Sequence, residues 1–202
     1  MKKIACLAVF LLALPVSSWA AIDTTGLTVI HFDELPPQPA NGVSLEGVTF
    51  GFTGGVATFD ASNGGQLTYV QDPSLEGDTT GTLTLTFASP TQVLQFGVAL
   101  NNMVVDAPGF TVTLFAPSGA PIGTFPVTTN PLISFSEGLF TYNGAYVKTA
   151  VITFTNAATS FAVDNLTFGL NPVPTLDPVA LTFLALAIAV MGAVLLRRKT
   201  LS

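Results

Sequence analysis

The chain has 202 residues, 49% of them hydrophobic and only 9% charged, which is too apolar for an intrinsically disordered protein. The formal net charge is −6, but between residues 21 and 172 eleven acids face a single base, Lys148, so that stretch alone carries −10. A surface this acidic repels phosphate backbones and excludes nucleic-acid binding.

Residues 1–20 read as a signal peptide. Lys2 and Lys3 form a charged start, 4–16 is an apolar run, and Ser18 and Ala20 satisfy the small-x-small rule for cleavage after Ala20. The run is shorter than the roughly 20 apolar residues of a membrane span and ends at Pro15 and polar residues. Export through the Sec machinery and removal by signal peptidase are therefore expected. Removal also takes away the only cysteine, Cys6, and leaves no thiol chemistry.

Residues 21–172 are expected to form one acidic domain. Its dominant pattern has period two: Thr82, Thr84 and Thr86 alternate with Leu83, Leu85 and Phe87, and Thr111 and Thr113 alternate with Phe110, Val112 and Leu114. Such segments are half-buried strands of antiparallel sheets. Strands are predicted over 27–33, 43–53, 56–60, 66–70, 81–88, 92–100, 109–116, 121–127, 132–136, 146–156 and 160–169. Turn signals such as Asn41-Gly42, Gly54-Gly55, Ser89-Pro90 and Asn143-Gly144 separate them. With no helical pattern between them, the predicted fold class is all-β, a jelly-roll-like antiparallel sandwich.

Catalytic constellations are scarce. His31 is the only histidine, no Gly-x-Ser-x-Gly motif accompanies it, and one histidine without cysteine cannot build a zinc site. Paired carboxylates of a glycoside hydrolase stay open as a third reading, because eleven acids are available. In the last strand Phe161 and Val163 share one parity and Leu166 and Phe168 the other, so a β-bulge or bend is expected at Asp164-Asn165. Side-chain to backbone hydrogen bonds from Asp164 and Asn165 would shape such a bulge. For glycan binding, an exposed aromatic beside hydrogen-bonding groups is needed; the candidates are Tyr69, Tyr142 and Tyr146, with Tyr142-Asn143-Gly144 expected at a hairpin tip. The alternative for these tyrosines is ordinary sheet-edge packing.

Residues 173–178 hold two prolines and are expected to be an extended linker, accessible to a protease. Residues 179–196 form an apolar run long enough to cross a bilayer as a helix, and Arg197, Arg198 and Lys199 follow at once in the basic tail 197–202. The positive-inside rule keeps that tail in the cytoplasm and the domain outside.

The order of Val173, Pro174, Thr175 and Leu176, an apolar helix and Arg197-Arg198-Lys199 resembles the C-terminal sorting signals of the PEP-CTERM type. Pro-Thr-Leu is closest to the IPTL-CTERM variant. The resemblance implies an exosortase-like protease as partner, a passage through the inner membrane, and a destination at the cell surface or outside the cell. The Phe-Asp-Glu-Leu opening strand and the Phe-Ala-Val-Asp-Asn-Leu closing strand resemble the bodies of many PEP-CTERM proteins and, more loosely, carbohydrate-binding jelly rolls. The second resemblance implies terminal strands lying side by side and a structural calcium ion held by Asp33, Glu34, Asp164 and Asn165. The expected function is that of an exported, non-enzymatic surface or matrix protein; the alternative is a carbohydrate-binding module for exopolysaccharide, with Tyr142 and Tyr146 as the contact residues.

Overall fold

The computed structural model describes residues 26–59 and 67–171. Alternation decides its secondary structure: Thr82 to Phe87 read half-buried, buried, half-buried in turn, so each Thr faces out and each Leu or Phe faces the core. Eleven strands result among the described residues: β1 (Thr28–Ile30), β2 (Gln38–Pro39), β3 (Ser44–Leu45), β4 (Val48–Thr53), β5 (Ala57–Phe59), β6 (Leu75–Asp78), β7 (Thr82–Leu100), β8 (Asp106–Phe115), β9 (Pro121–Leu132), β10 (Phe135–Phe154) and β11 (Ser160–Gly169). All pairings are antiparallel, and no helix occurs among the described residues.

Two long strands, β7 and β10, run through both layers of a sandwich. Their outer halves, Thr82–Phe87 and Thr149–Thr153, pair with each other and with β4 and β8. Their other halves, Val93–Leu100 and Ser136–Asn143, pair with each other and with β11. Aromatic contacts close the two layers on one another. Phe50 of β4 meets Phe59 of β5 edge-on at 5.1 Å, Phe96 of β7 lies 6.3 Å from Phe110 of β8, and Phe154 of β10 stacks on Phe161 of β11 at 3.9 Å. The first and last strands, β1 and β11, pair side by side, and most neighbours are distant in sequence. The fold is thus an all-β, jelly-roll-like sandwich, as expected.

Several strand limits differ from the sequence prediction. Ser89-Pro90 bends β7 without ending it, because the groups freed at the bend find side-chain partners: Lys148 Nζ donates to the Ala88 carbonyl at 2.9 Å, and the buried Thr91 hydroxyl lies 2.6 Å from the carbonyls of Val93 and Gly169. Segments 81–88 and 92–100 are therefore one strand. Segment 43–53 is instead a hairpin of β3 and β4, turned by Glu46 (φ 47°) and Gly47 (φ 86°), a pair of positive φ values that a type I′ turn requires. Segment 132–136 is the β9–β10 hairpin, where Ile133 takes φ 58°. β1 stops at Ile30 because Phe32 adopts φ 62° and turns its ring into the core against Phe50 and Phe59. Segment 66–70 is not a strand over its described residues; 67–70 is a loop, and the short β2 and β6 were not expected.

Phe50→Ala removes a ring with no exposure from this aromatic layer, and a loss of about 3–5 kcal/mol is expected in urea unfolding. Ile133 is 73% exposed and β-branched at a positive φ, so Ile133→Gly is expected to raise stability by about 1 kcal/mol in the same measurement.

Candidate functional site

The outer face of the layer holding β11, β7 and β10 is ordered as rows of residues in direct register. One row is Glu76, Ala162, Ala99 and Glu137; the next is Asp164, Gly97 and Leu139; the third is Val29, Thr167, Gln95 and Thr141. The bulge expected in β11 is present: pairing with β7 slips between Asp164 and Thr167, and Asn165 takes φ 54°. It lets Val163 and Leu166 both face the core while Asp164 turns outward.

Residues 67–71 lie across this face as a strap. Glu137 on β10 accepts the backbone N–H of Thr68 and of Tyr69, one on each carboxylate oxygen, both at 3.0 Å. Asp164 on β11 accepts the N–H of Gln71 at 2.9 Å. Between these two pins the strap crosses β7 at Gly97, where a Cβ would collide with the Tyr69 carbonyl. A glycine is required there because backbone passes directly over backbone. Leu67 and Val70 pack on Ala99 and Ala162 beneath. Both carboxylates are buried, Asp164 at 2% exposure and Glu137 at 6%, and hydrogen bonds to charged acceptors of this kind are the stronger sort.

Around Asp164 the structure brings together three of the four residues proposed as calcium ligands, with His31. Asp164 also accepts the Asn165 N–H at 2.6 Å and the Asn165 amide at 3.0 Å. The Asn165 amide reaches the Tyr69 carbonyl at 3.1 Å, and its oxygen lies 2.9 Å from His31 Nδ1. Glu34 accepts the His31 N–H at 2.8 Å and thereby closes the turn after β1. Asp33 is exposed and takes no part in this network. Among the described residues no group of three or more His, Cys, Asp or Glu is disposed to hold a metal, and the Asp164 oxygens are occupied by turn and strap donors.

Of the tyrosines, Tyr142 is placed differently from expectation. Tyr142-Asn143-Gly144 is not a hairpin tip; it lies within β10, where pairing with β7 slips between Asn143 and Val147 as the strand changes layer. Tyr142 folds back on this irregularity, its hydroxyl donating to the Ala145 carbonyl at 3.2 Å and its ring packing against Phe125 at 5.7 Å. Tyr146 is 51% exposed. Tyr69, carried on the strap, edges an open groove of about 340 Å³ lined also by Val29, Thr68, Gln95, Leu139, Asn165 and Thr167. Sequence reading did not find the strap or Glu137; the available signal was Gly97, an isolated glycine inside an otherwise apolar-periodic strand.

Burial raises the Asp164 pKa from 3.8 to about 6, against the lowering effect of its backbone donors and of His31. The folded state thus binds this proton more tightly than the unfolded chain does. Its contribution to stability is complete below pH 3.8 and is lost as pH rises through about 6. The difference in melting temperature between the wild type and Asp164→Asn should therefore change between pH 3.8 and about 6 and be flat outside that range. Gly97→Ala is expected to lift the strap and abolish slow hydrogen exchange at the amides of Thr68, Tyr69 and Gln71 while the strands keep theirs.

Residues 173–176 and 197–199 lie outside the described residues, as do the leader and the apolar run 179–196. No curated protein matches the chain. Among solved structures it is similar to a family 29 carbohydrate-binding module (12% identity, 76% of this chain and 94% of that one, TM-score 0.41) and to one from Piromyces equi (11%, 71% and 91%, 0.43). It is similar also to the enzymatically active domain of a bacteriophage CBA120 tailspike protein (15%, 64% and 21%, 0.36). All three scores lie below 0.5 and decide nothing about what this chain binds. The C-terminal region is different: residues 171–198 match the family model of the IPTL-CTERM motif, so the chain carries at its end a sorting signal of the PEP-CTERM-like kind that Pro174, Thr175 and Leu176 announce.

Proposed function

We propose that this is an exported, non-enzymatic protein of the cell surface or extracellular matrix, delivered through its C-terminal tail. The observation that carries the reading is the IPTL-CTERM match over residues 171–198, which spans the linker, the apolar run and Arg197-Arg198. In this reading the leader leaves after Ala20, the run 179–196 lodges in the inner membrane, and an exosortase-like protease cuts between Val173 and Pro178. The non-enzymatic part is supported by the two buried acids on the outer face: both spend their oxygens on backbone N–H groups and hold structure in place. A second reading, a carbohydrate-binding module for exopolysaccharide, is favoured by the groove beside Tyr69.

Mass spectrometry of the protein recovered from the cell surface tests the first reading. The mature chain is expected to begin at Ala21 and to end between residues 173 and 178, and replacing Arg197, Arg198 and Lys199 by Ser should leave the uncut form in the membrane fraction. Surface protein that retains Arg197-Arg198-Lys199 would show that the tail is a plain anchor.

A further inference from the structure

We propose that the groove bounded by Tyr69, Val29, Gln95, Leu139 and Thr167 binds an uncharged saccharide chain. The proposal rests on the second reading above and gives it a site and a ligand class. A sugar ring offers apolar C–H faces and a rim of hydroxyls, so its recognition needs an accessible ring or aliphatic surface next to neutral donors and acceptors. The groove supplies both. Tyr69 is 38% exposed, Val29 39% and Leu139 37%, and between them stand the Gln95 amide and the hydroxyls of Thr68 and Thr167. The Gln95 amide has no protein partner among the described residues and is available to a ligand.

Charge selects among saccharides. No charged side chain lines the groove, and residues 21–172 carry a net −10, which opposes a polymer of uronates or sulfated sugars. Shape favours a chain over a single ring: Val29, Thr167, Gln95 and Thr141 stand in register on four adjacent strands, a track about 14 Å long at the usual strand spacing.

Tyr69 is prepared for this role before any ligand arrives. Its backbone N–H is fixed by Glu137, its carbonyl by Asn165, and its passage over β7 by the absence of a side chain at Gly97. Little backbone entropy is therefore left to lose at this position when a sugar stacks on the ring. Asn165, with both ends of its amide already engaged, is a positioning residue here, and Tyr69 and Gln95 are the contacts.

Isothermal titration of the full chain, held in a sugar-free zwitterionic detergent, tests the proposal. The probes are uncharged hexasaccharides of glucose, mannose and galactose, with an oligouronate of equal length as the anionic comparison. Saturable binding of at least one uncharged probe is expected, with none of the oligouronate. Tyr69→Ala should weaken it about tenfold or more and Tyr69→Phe should retain it, in keeping with an aromatic contact at the centre of a site. Gln95→Ala, on a strand beneath the strap, should weaken binding without lowering the melting temperature, and carries the test if Tyr69→Ala fails to fold. Tyr146→Ala should have no effect. Binding that survives both Tyr69→Ala and Gln95→Ala overturns this site but leaves the exopolysaccharide reading standing. Preference for the oligouronate overturns the ligand class, and absence of binding to every probe overturns both.

Discussion

A carboxylate withdrawn from water must have its oxygens hydrogen-bonded or the fold loses several kcal/mol, and Asp164 is withdrawn almost completely. Its partners are drawn from three separate places: the strap through Gln71, the bulge through Asn165, and by way of Asn165 the turn after β1 at His31. One buried group therefore fixes where the closing strand changes face, where the strap crosses it, and how the opening strand leaves it. Burial holds its proton affinity up, so the contribution of this group to the junction's stability is lost as pH rises through about 6.

The remaining rigidity comes from β7 and β10. Because each runs through both layers, the core does not depend on loops to hold two sheets together; the same backbone belongs to both. The outer face of one layer is paved by Thr pairs such as Thr111 with Thr153 and Thr113 with Thr124, hydrogen-bonded across strands at 2.6 and 3.0 Å. The opposite outer face carries the strap and the groove. One outer face thus carries hydroxyls paired across strands, and the other still has amide and ring groups to offer.

What could be read from the sequence was whatever rested on periodicity. The Thr-Leu alternation of 82–87 gave a strand and its inward face, and the parity change from Val163 to Leu166 gave a bulge or bend, because a strict period of two cannot keep both residues buried. The tail was legible through its order of proline motif, apolar run and basic cluster. Illegible were the places where tertiary contacts override local signals. Ser89-Pro90 has turn chemistry, yet Lys148, sixty residues away, satisfies the carbonyl that the bend exposes. Glu46-Gly47 and Ile133-Ser134 make hairpins without the Asn-Gly or Asp-Gly pair that normally announces them. Glu137 looked like one solvated acid among eleven; only the fold shows that the strap closes over it. Tyr142 had the flanking residues of an exposed tip and instead packs on Phe125.

The position of β11 has a mechanical consequence. It is flanked along its length, by β6 and then β1 on one side and by β7 on the other, and the chain leaves it at Gly169 toward the sorting tail. Tension entering from that tail pulls β11 along its own axis, so its ladder bonds are loaded in shear and share the force instead of unzipping in turn. The first to feel it is the bond from the Asn171 amide to the Asn143 oxygen in β10, at 2.6 Å, and next are the bonds joining Gly169 to the Thr91 hydroxyl, which sits at the bend of β7 and passes the strain into both layers.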